Sequence, residues 1–216
     1  MRHNPFKIVS DFEETIAEYT GAAFGIAVDS CTSAIFLCCK YYMETIGNKS
    51  GLPTVFTIPS KTYVSAAHSI VHAGITVMLD KSERANSWSG IYQLSPSNIY
   101  DAAKRLTGGM YIPGSFMCLS FHQKKHLPIG KGGMILTDDK KARAWFLRAS
   151  YHGRDARNKP IQHDDITMAG WDMYMKPQDA AVGLALMQNY PDHMPDLTNN
   201  YRDLSTFKLY QNCLTA

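Results

Sequence analysis

The chain has 216 residues, of which 45% are apolar, 11% aromatic and 19% charged. That length suits one domain with a substantial core, and 12 Tyr, 9 Phe and 3 Trp exclude a disordered polymer. The 22 basic and 19 acidic residues leave a net charge of +3 with no basic run beyond Lys-Lys, so no nucleic acid is expected as a partner. No apolar stretch approaches the ~20 residues of a membrane helix, and the polar start Met1-Arg2-His3-Asn4-Pro5 does not read as a secretory leader. Cys31, Cys38, Cys39, Cys118 and Cys213 lack CxxC spacing and read as reduced intracellular thiols. The expectation is a cytoplasmic, globular protein with no membrane segment.

In chain order, Ser10 followed by Glu13 has the spacing of a capping box. Phe12, Ile16, Ala17 and Tyr19 supply an apolar face, and Gly21 ends the helix. A short apolar run over 24–28 predicts a strand, and 32–46 a helix. Residues 54–58 then read as strand, 63–73 as helix and 76–80 as strand. Further strands are expected over 98–100, 116–120 and 134–137, with a helix over 140–150. Short apolar strands alternating with helices argue for a layered α/β domain with a largely parallel sheet. Residues 151–169 form a long polar stretch, expected as a functional or mobile loop. Pro177 opens a helix over 178–187, Pro191 and Pro195 break the chain, and 197–210 reads as a last amphipathic helix.

Three segments could carry chemistry. Asp29-Ser-Cys-Thr-Ser-Ala34 lies at a strand-to-helix turn, where unpaired amides and the positive dipole end suit a phosphate; taken alone it reads more readily as an ordinary Ser/Thr N-cap. Ser120-Phe-His-Gln-Lys-Lys125-His-Leu-Pro-Ile-Gly-Lys-Gly-Gly133 joins two strands. A partly desolvated lysine beside another cation there could act as a carbonyl nucleophile, or Lys124 and Lys125 could simply face solvent. Asp101 stands at a strand end before two alanines, either facing a ligand crevice, where it could keep a heterocyclic nitrogen protonated, or capping a helix. His68 and His72, and His122 and His126, have the i,i+4 spacing of metal ligands on helices. His68-Ser-Ile-Val-His72 lacks the Glu of HExxH and no third ligand is marked, so no metal is expected.

Together and in this order the segments are more specific. The sequence resembles the DegT/StrS-type sugar aminotransferases, pyridoxal-phosphate (PLP) enzymes of fold type I. The resemblance rests on Phe12–Gly21 with Ala27–Ala34, Ile58-Pro-Ser-Lys-Thr-Tyr-Val-Ser65, Asp101-Ala-Ala103, Ser120–Lys125 with Gly130-Lys-Gly-Gly133, and Gly170-Trp-Asp with Gln178-Asp-Ala-Ala181. The serine-to-lysine spacing of five, followed by G-x-G-G, is the most specific of them. It implies a three-layer α/β/α large domain with a mostly parallel mixed sheet over 1–190, then a C-terminal helix over 191–216, with the family's small domain absent.

The resemblance also implies roles. Lys125 matches the lysine that forms the internal aldimine with PLP, and Asp101 the acid that pairs with the pyridine nitrogen. Ala103 matches the small residue on one ring face, and Tyr63 the aromatic stacked on the other. Ser120 and the amides around Cys31 and Thr32 match the phosphate cup. Lys104 stands where the family usually has Gln, placing an extra cation near the cofactor's phenolic oxygen. Cys31 replaces a usual Gly, and Asp172 replaces an Asn that often reaches a partner's phosphate. The implied activity is ping-pong transfer of an amino group from L-glutamate, leaving 2-oxoglutarate, to a nucleotide-linked keto sugar by a homodimer. Relatives with His in place of this lysine act as dehydratases; Lys125 argues against that here. The alternative is a degenerate member that binds cofactor or sugar nucleotide without turnover. The loop over 151–169 is the expected wall or lid of the pocket.

Overall fold

The computed structural model describes residues 6–47 and 54–210. The opening pentapeptide and Cys213 lie outside the described residues. The elements are α1 (Lys7–Thr20), β1 (Phe24–Val28), α2 (Cys31–Thr45), β2 (Val55–Pro59), α3 (Val64–His72), β3 (Thr76–Asp80), α4 (Glu83–Asn86), β4 (Tyr92–Gln93), β5 (Ile99–Asp101), β6 (Phe116–Ser120), β7 (Gly133–Thr137), α5 (Lys140–Ala149) and α6 (Pro177–Met187).

Five strands form one sheet in the order β1-β7-β6-β5-β4, and β2 pairs in parallel with β3 beside it. Among the described residues one antiparallel bridge, Thr57 to Ser95, links the two. Successive strand residues point to opposite faces, and each face has its own core. Ile26, Val28, Cys118 and Ile135 pack with α2, α3 and α5. Ala27, Met117, Leu119, Met134 and Leu136 pack with Val9, Phe12 and Ile16 of α1 and Ala180 of α6. The architecture is therefore α/β/α in three layers with a mixed sheet.

One expectation is corrected. The five-stranded sheet is mostly antiparallel, since β1–β7, β6–β7 and β4–β5 are antiparallel and only β5–β6 is parallel. Following these pairings, β1, β2, β3, β5 and β6 share one direction, and β7 and β4 oppose it. A parallel crossover needs a connection of a dozen or more residues, usually a helix. No helix separates β6 from β7, so β7 folds back against β6 and then runs antiparallel to β1 as well.

Other departures are local. Helix α1 starts at Lys7, ahead of Ser10, so Ser10 and Glu13 form no capping box. Instead, Glu13 is buried and accepts hydrogen bonds from the Ala27 N–H at 2.7 Å and from Arg157 at 2.5 and 2.7 Å. Gly21 does end α1, in the left-handed conformation that favours glycine. The C-terminal stretch is not an α-helix: it runs irregularly to two 3-10 turns at Leu204–Thr206 and Lys208–Tyr210. Its Pro191 and Pro195 deny the backbone helical donors, and side chains of the site hold the chain between them and the turns. The described cysteines Cys31, Cys38, Cys39 and Cys118 are free thiols. No helix among the described residues is long and apolar enough to cross a membrane.

Candidate active site

A cavity of about 1030 Å³ opens at the carboxyl ends of β1, β5 and β6. In open α/β sheets this edge is where ligands bind. All eight residues named from the sequence (Cys31, Thr32, Tyr63, Asp101, Ala103, Lys104, Ser120 and Lys125) line it.

The floor is the start of α2. Ser30 caps the helix, its hydroxyl accepting from the Ser33 N–H at 3.1 Å. Cys31 and Thr32 begin the first turn, where unpaired amides and the positive dipole end favour an anion. Ser120 closes this corner from the end of β6. Gly133, at the start of β7, lets the backbones meet, for a Cβ there would fall 2.4 Å from the Ser30 carbonyl carbon and 2.5 Å from the Cys31 nitrogen. The Cys31 thiol donates to the Cys118 carbonyl at 3.4 Å, and burial pushes it well above its ordinary pKa. It is a packing group here, not a thiolate. Thr32 turns its hydroxyl to Ser65 Oγ at 2.9 Å.

Asp101 ends β5, and no helix follows it, so it is not a helix cap. Its Oδ1 accepts from the Ala103 N–H and its Oδ2 from the Tyr92 hydroxyl, each at 2.9 Å. Tyr92 in turn receives a 2.7 Å hydrogen bond from Thr62. Burial pushes the Asp101 carboxyl above the usual range; its two hydrogen bonds and the charges of Lys125 and Lys104 oppose that rise. A buried carboxylate of this kind is a ready partner for a cationic nitrogen.

Lys125 lies in the β6–β7 connection, its N–H donating to His122 O at 2.8 Å. Its Nζ reaches into the cavity and donates to the Tyr201 hydroxyl at 3.4 Å. Tyr63, just before α3, is 56% exposed and presents its ring at the cavity rim. Lys104 is only 6% exposed. Its Nζ donates to the Thr198 carbonyl and to Asn200 Oδ1, and lies 4.3 Å from the Tyr201 ring centroid. Burial, and then the charge of Lys125, lower its pKa.

The remaining wall comes from the C-terminal segment and from Trp88, which sequence reasoning did not single out. Leu197, Thr198, Asn200 and Tyr201 line the cavity, whereas no residue of the 151–169 loop does. That loop is tied instead to α1 and α5 by Arg157–Glu13 and Arg148–Asp164. The available signal was an aromatic residue in a polar Asn-Asn-Tyr-Arg run after two prolines. Asp172 is outside the cavity, exposed beside His152. His122 and His126 lie in the β6–β7 connection, not on a helix. His122 Nδ1 accepts from the Lys124 N–H, and His126 Nε2 meets the Pro195 carbonyl at 2.9 Å.

The donor set is a helix N-terminus with hydroxyls beside it, a buried acid, an exposed aromatic face and an amine. It fits a phosphate ester that also carries a basic heterocyclic nitrogen and a carbonyl carbon.

Comparisons with known proteins agree with this architecture. The chain is 26% identical to the spore coat polysaccharide biosynthesis protein SpsC of Bacillus subtilis, over 85% of this chain and 57% of that protein. It is 23% identical to GDP-perosamine synthase of Caulobacter vibrioides, over 87% of this chain and 58% of that protein. The chain thus spans a little over half the length of these relatives. Among solved structures, Helicobacter pylori PseC, an aminotransferase of pseudoaminic acid biosynthesis, superposes with a TM-score of 0.72 at 13% identity, covering 95% of this chain and 80% of that one. GDP-4-keto-6-deoxymannose-3-dehydratase with a trapped PLP-glutamate geminal diamine gives a TM-score of 0.68 at 13% identity, over 86% of this chain and 61% of that one. These likenesses concern the fold. The model of the DegT/DnrJ/EryC1/StrS aminotransferase family matches residues 4–107 and 101–207, so the chain belongs to that family.

Proposed function

We propose that this chain carries the catalytic cavity of a PLP-dependent sugar aminotransferase, which moves an amino group from L-glutamate to a nucleotide-linked keto sugar. The observation that carries the reading is the convergence of Lys125, Asp101, Tyr63, Ser120 and the α2 N-terminus on one cavity. When bound, PLP supplies an electron-poor ring that can accept the electron pair released at the donor's Cα.

The amides at Cys31 and Thr32 and the Ser120 hydroxyl would hold the phosphate at the positive end of α2. The Asp101 carboxylate would hold a proton on the ring nitrogen, while Tyr92 and Ala103 fix its two oxygens. Tyr63 would cover one ring face, and Ala103 leaves room at the other. Lys104 would add a cation near the ring's phenolic oxygen. Lys125 Nζ would be the amine that holds the cofactor's carbonyl carbon and, when free, the base that would carry the proton at the donor's Cα. The reading extends to a homodimer acting in the cytoplasm. Helix α6, which leaves Val182 and Leu186 exposed, supports an assembly of this kind.

The buried cation of Lys104, where the family usually has Gln, favours one second reading, a family member that binds cofactor without turnover. Absorbance spectra with PLP, before and after L-glutamate, separate the two. A visible cofactor band that glutamate bleaches, and that Lys125→Ala never forms, supports the aminotransferase. A band untouched by glutamate supports the binder. No band at all overturns both.

A further inference from the structure

Segment 196–201 is fastened across the cavity at nearly every residue. Arg105 donates to both carboxylate oxygens of Asp196, at 2.8 and 2.6 Å. The Leu197 N–H donates to Lys104 O at 3.0 Å, and Lys104 Nζ returns to Thr198 O and Asn200 Oδ1. Asn199 Nδ2 donates to Lys61 O at 2.8 Å, and Asn199 Oδ1 accepts from the Tyr201 N–H at 3.1 Å. The ring of Tyr201 is then gripped on several sides. Lys104 Nζ lies 4.3 Å from its centroid, the Tyr63 ring is 5.7 Å away, and the Trp88 ring stacks at 6.4 Å and 27°. What this fastening delivers is one hydroxyl, 3.4 Å from Lys125 Nζ.

We propose that Tyr201 is a positioning residue for Lys125, its hydroxyl fixing the amine in the cavity, with segment 196–201 latched by Lys104 and Arg105 to hold it there. The proposal rests on the functional reading above insofar as Lys125 supplies the reacting amine. A lysine stem has four rotatable bonds; an amine held in one place reacts faster with a partner bound beside it and, while hydrogen-bonded, slower with a reagent arriving from solution. Tyr201 can hold it in either protonation state, because burial pushes the phenol up to about 12 and keeps it an O–H near neutrality. The oxygen accepts from an ammonium, and the O–H can donate to a neutral amine. The same shift bars a phenolate, so Tyr201 orients Lys125 and does not deprotonate it. A separation of 3.4 Å is long for such a bond and is of the kind that tightens when a ligand desolvates the site. Lys104 acts on this contact through the Tyr201 ring, the Thr198 carbonyl and the Asn200 side chain.

The test compares the wild-type chain with Tyr201→Phe, which keeps the ring and its packing. The first readout is the rate of acetylation of Lys125 without cofactor, followed by peptide mass spectrometry, with exposed Lys124 as internal control. Loss of the hydroxyl is expected to speed labelling of Lys125 about fivefold, the size of one neutral hydrogen bond, and to leave Lys124 unchanged. The second readout is PLP titration by absorbance, where the variant is expected to need about tenfold more cofactor. Equal Lys125 labelling in the two proteins overturns the proposal even if both bind PLP. Tighter PLP binding by Tyr201→Phe also overturns it, for Tyr201 would then be a plug that competes with the cofactor. If the wild type forms no cofactor band but Lys125 labelling still accelerates, the cofactor reading fails and the Tyr201–Lys125 assignment stands.

Discussion

Glu13 and Asp101 are almost equally buried, 4% and 6% exposed, yet their surroundings are opposite. Glu13 is closed on itself: a backbone N–H and a bidentate Arg157 take both oxygens, and the pair ties α1 to β1 and to the 151–169 loop. Asp101 receives two neutral donors, and the cations that face it, Lys104 and Lys125, line the same cavity. A buried acid with its own arginine holds a fold together. One whose positive partners stand around an open space is arranged to receive something else.

The largest effect should separate chemistry from stability. Lys125→Ala is expected to lower transamination at least about 10³-fold, as loss of a nucleophile does, and to shift stability by less than about 0.5 kcal/mol. Steady-state kinetics and a urea melt check the two halves. Glu13→Ala should do the reverse. Removing one member of a buried pair strands Arg157 and the Ala27 N–H, and about 3 kcal/mol of stability should be lost. PLP affinity at a temperature where the variant is folded should be unchanged; a tenfold loss of affinity would erase the contrast between the two acids.

Gly133→Ala should touch both properties. Its Cβ would press on the Ser30–Cys31 peptide, costing about 1–3 kcal/mol and raising the PLP concentration for half-saturation. The smallest effect is a stability gain. Burial raises the folded-state pKa of Asp101 above its unfolded value. Between those values the native state binds more proton, so stability falls as pH rises through that window. Asp101→Asn removes this cost and should melt slightly above the wild type at pH 7. The advantage should narrow as the pH approaches the carboxylate range, while PLP capture weakens at every pH. A variant less stable at pH 7 would mean that Asp101 is a structural acid like Glu13.

The strands and helices were legible wherever a local period set them. β1, β3 and β6 were placed without error, and α2, α3, α5 and α6 to within about a residue, since apolar runs and glycine or proline ends act locally. The direction of β7 was not, although the helix-free stretch before it carries the signal. Glu13 was misread because a capping-box spacing also fits a buried acid inside a helix, and its partner Arg157 lies 144 residues away. The eight residues named for the site do meet around one cavity, because each sits at a strand end, a helix start or the turn that follows a strand, and the sheet order brings these together. Tyr201 and Trp88 escaped notice for the opposite reason. The place of Tyr201 depends on Lys104 and Arg105 catching a segment about 90 residues further along, and that of Trp88 on the Lys61 carbonyl and the Tyr92 ring, which no local pattern records.

The most direct test of the central claim is to incubate the protein with PLP, reduce it with borohydride and map the modified peptide by mass spectrometry. The account predicts one pyridoxyl group per chain, on Lys125 and not on its neighbour Lys124 or the buried Lys104. Label spread over surface lysines, or concentrated on Lys104 or Lys124, would contradict it.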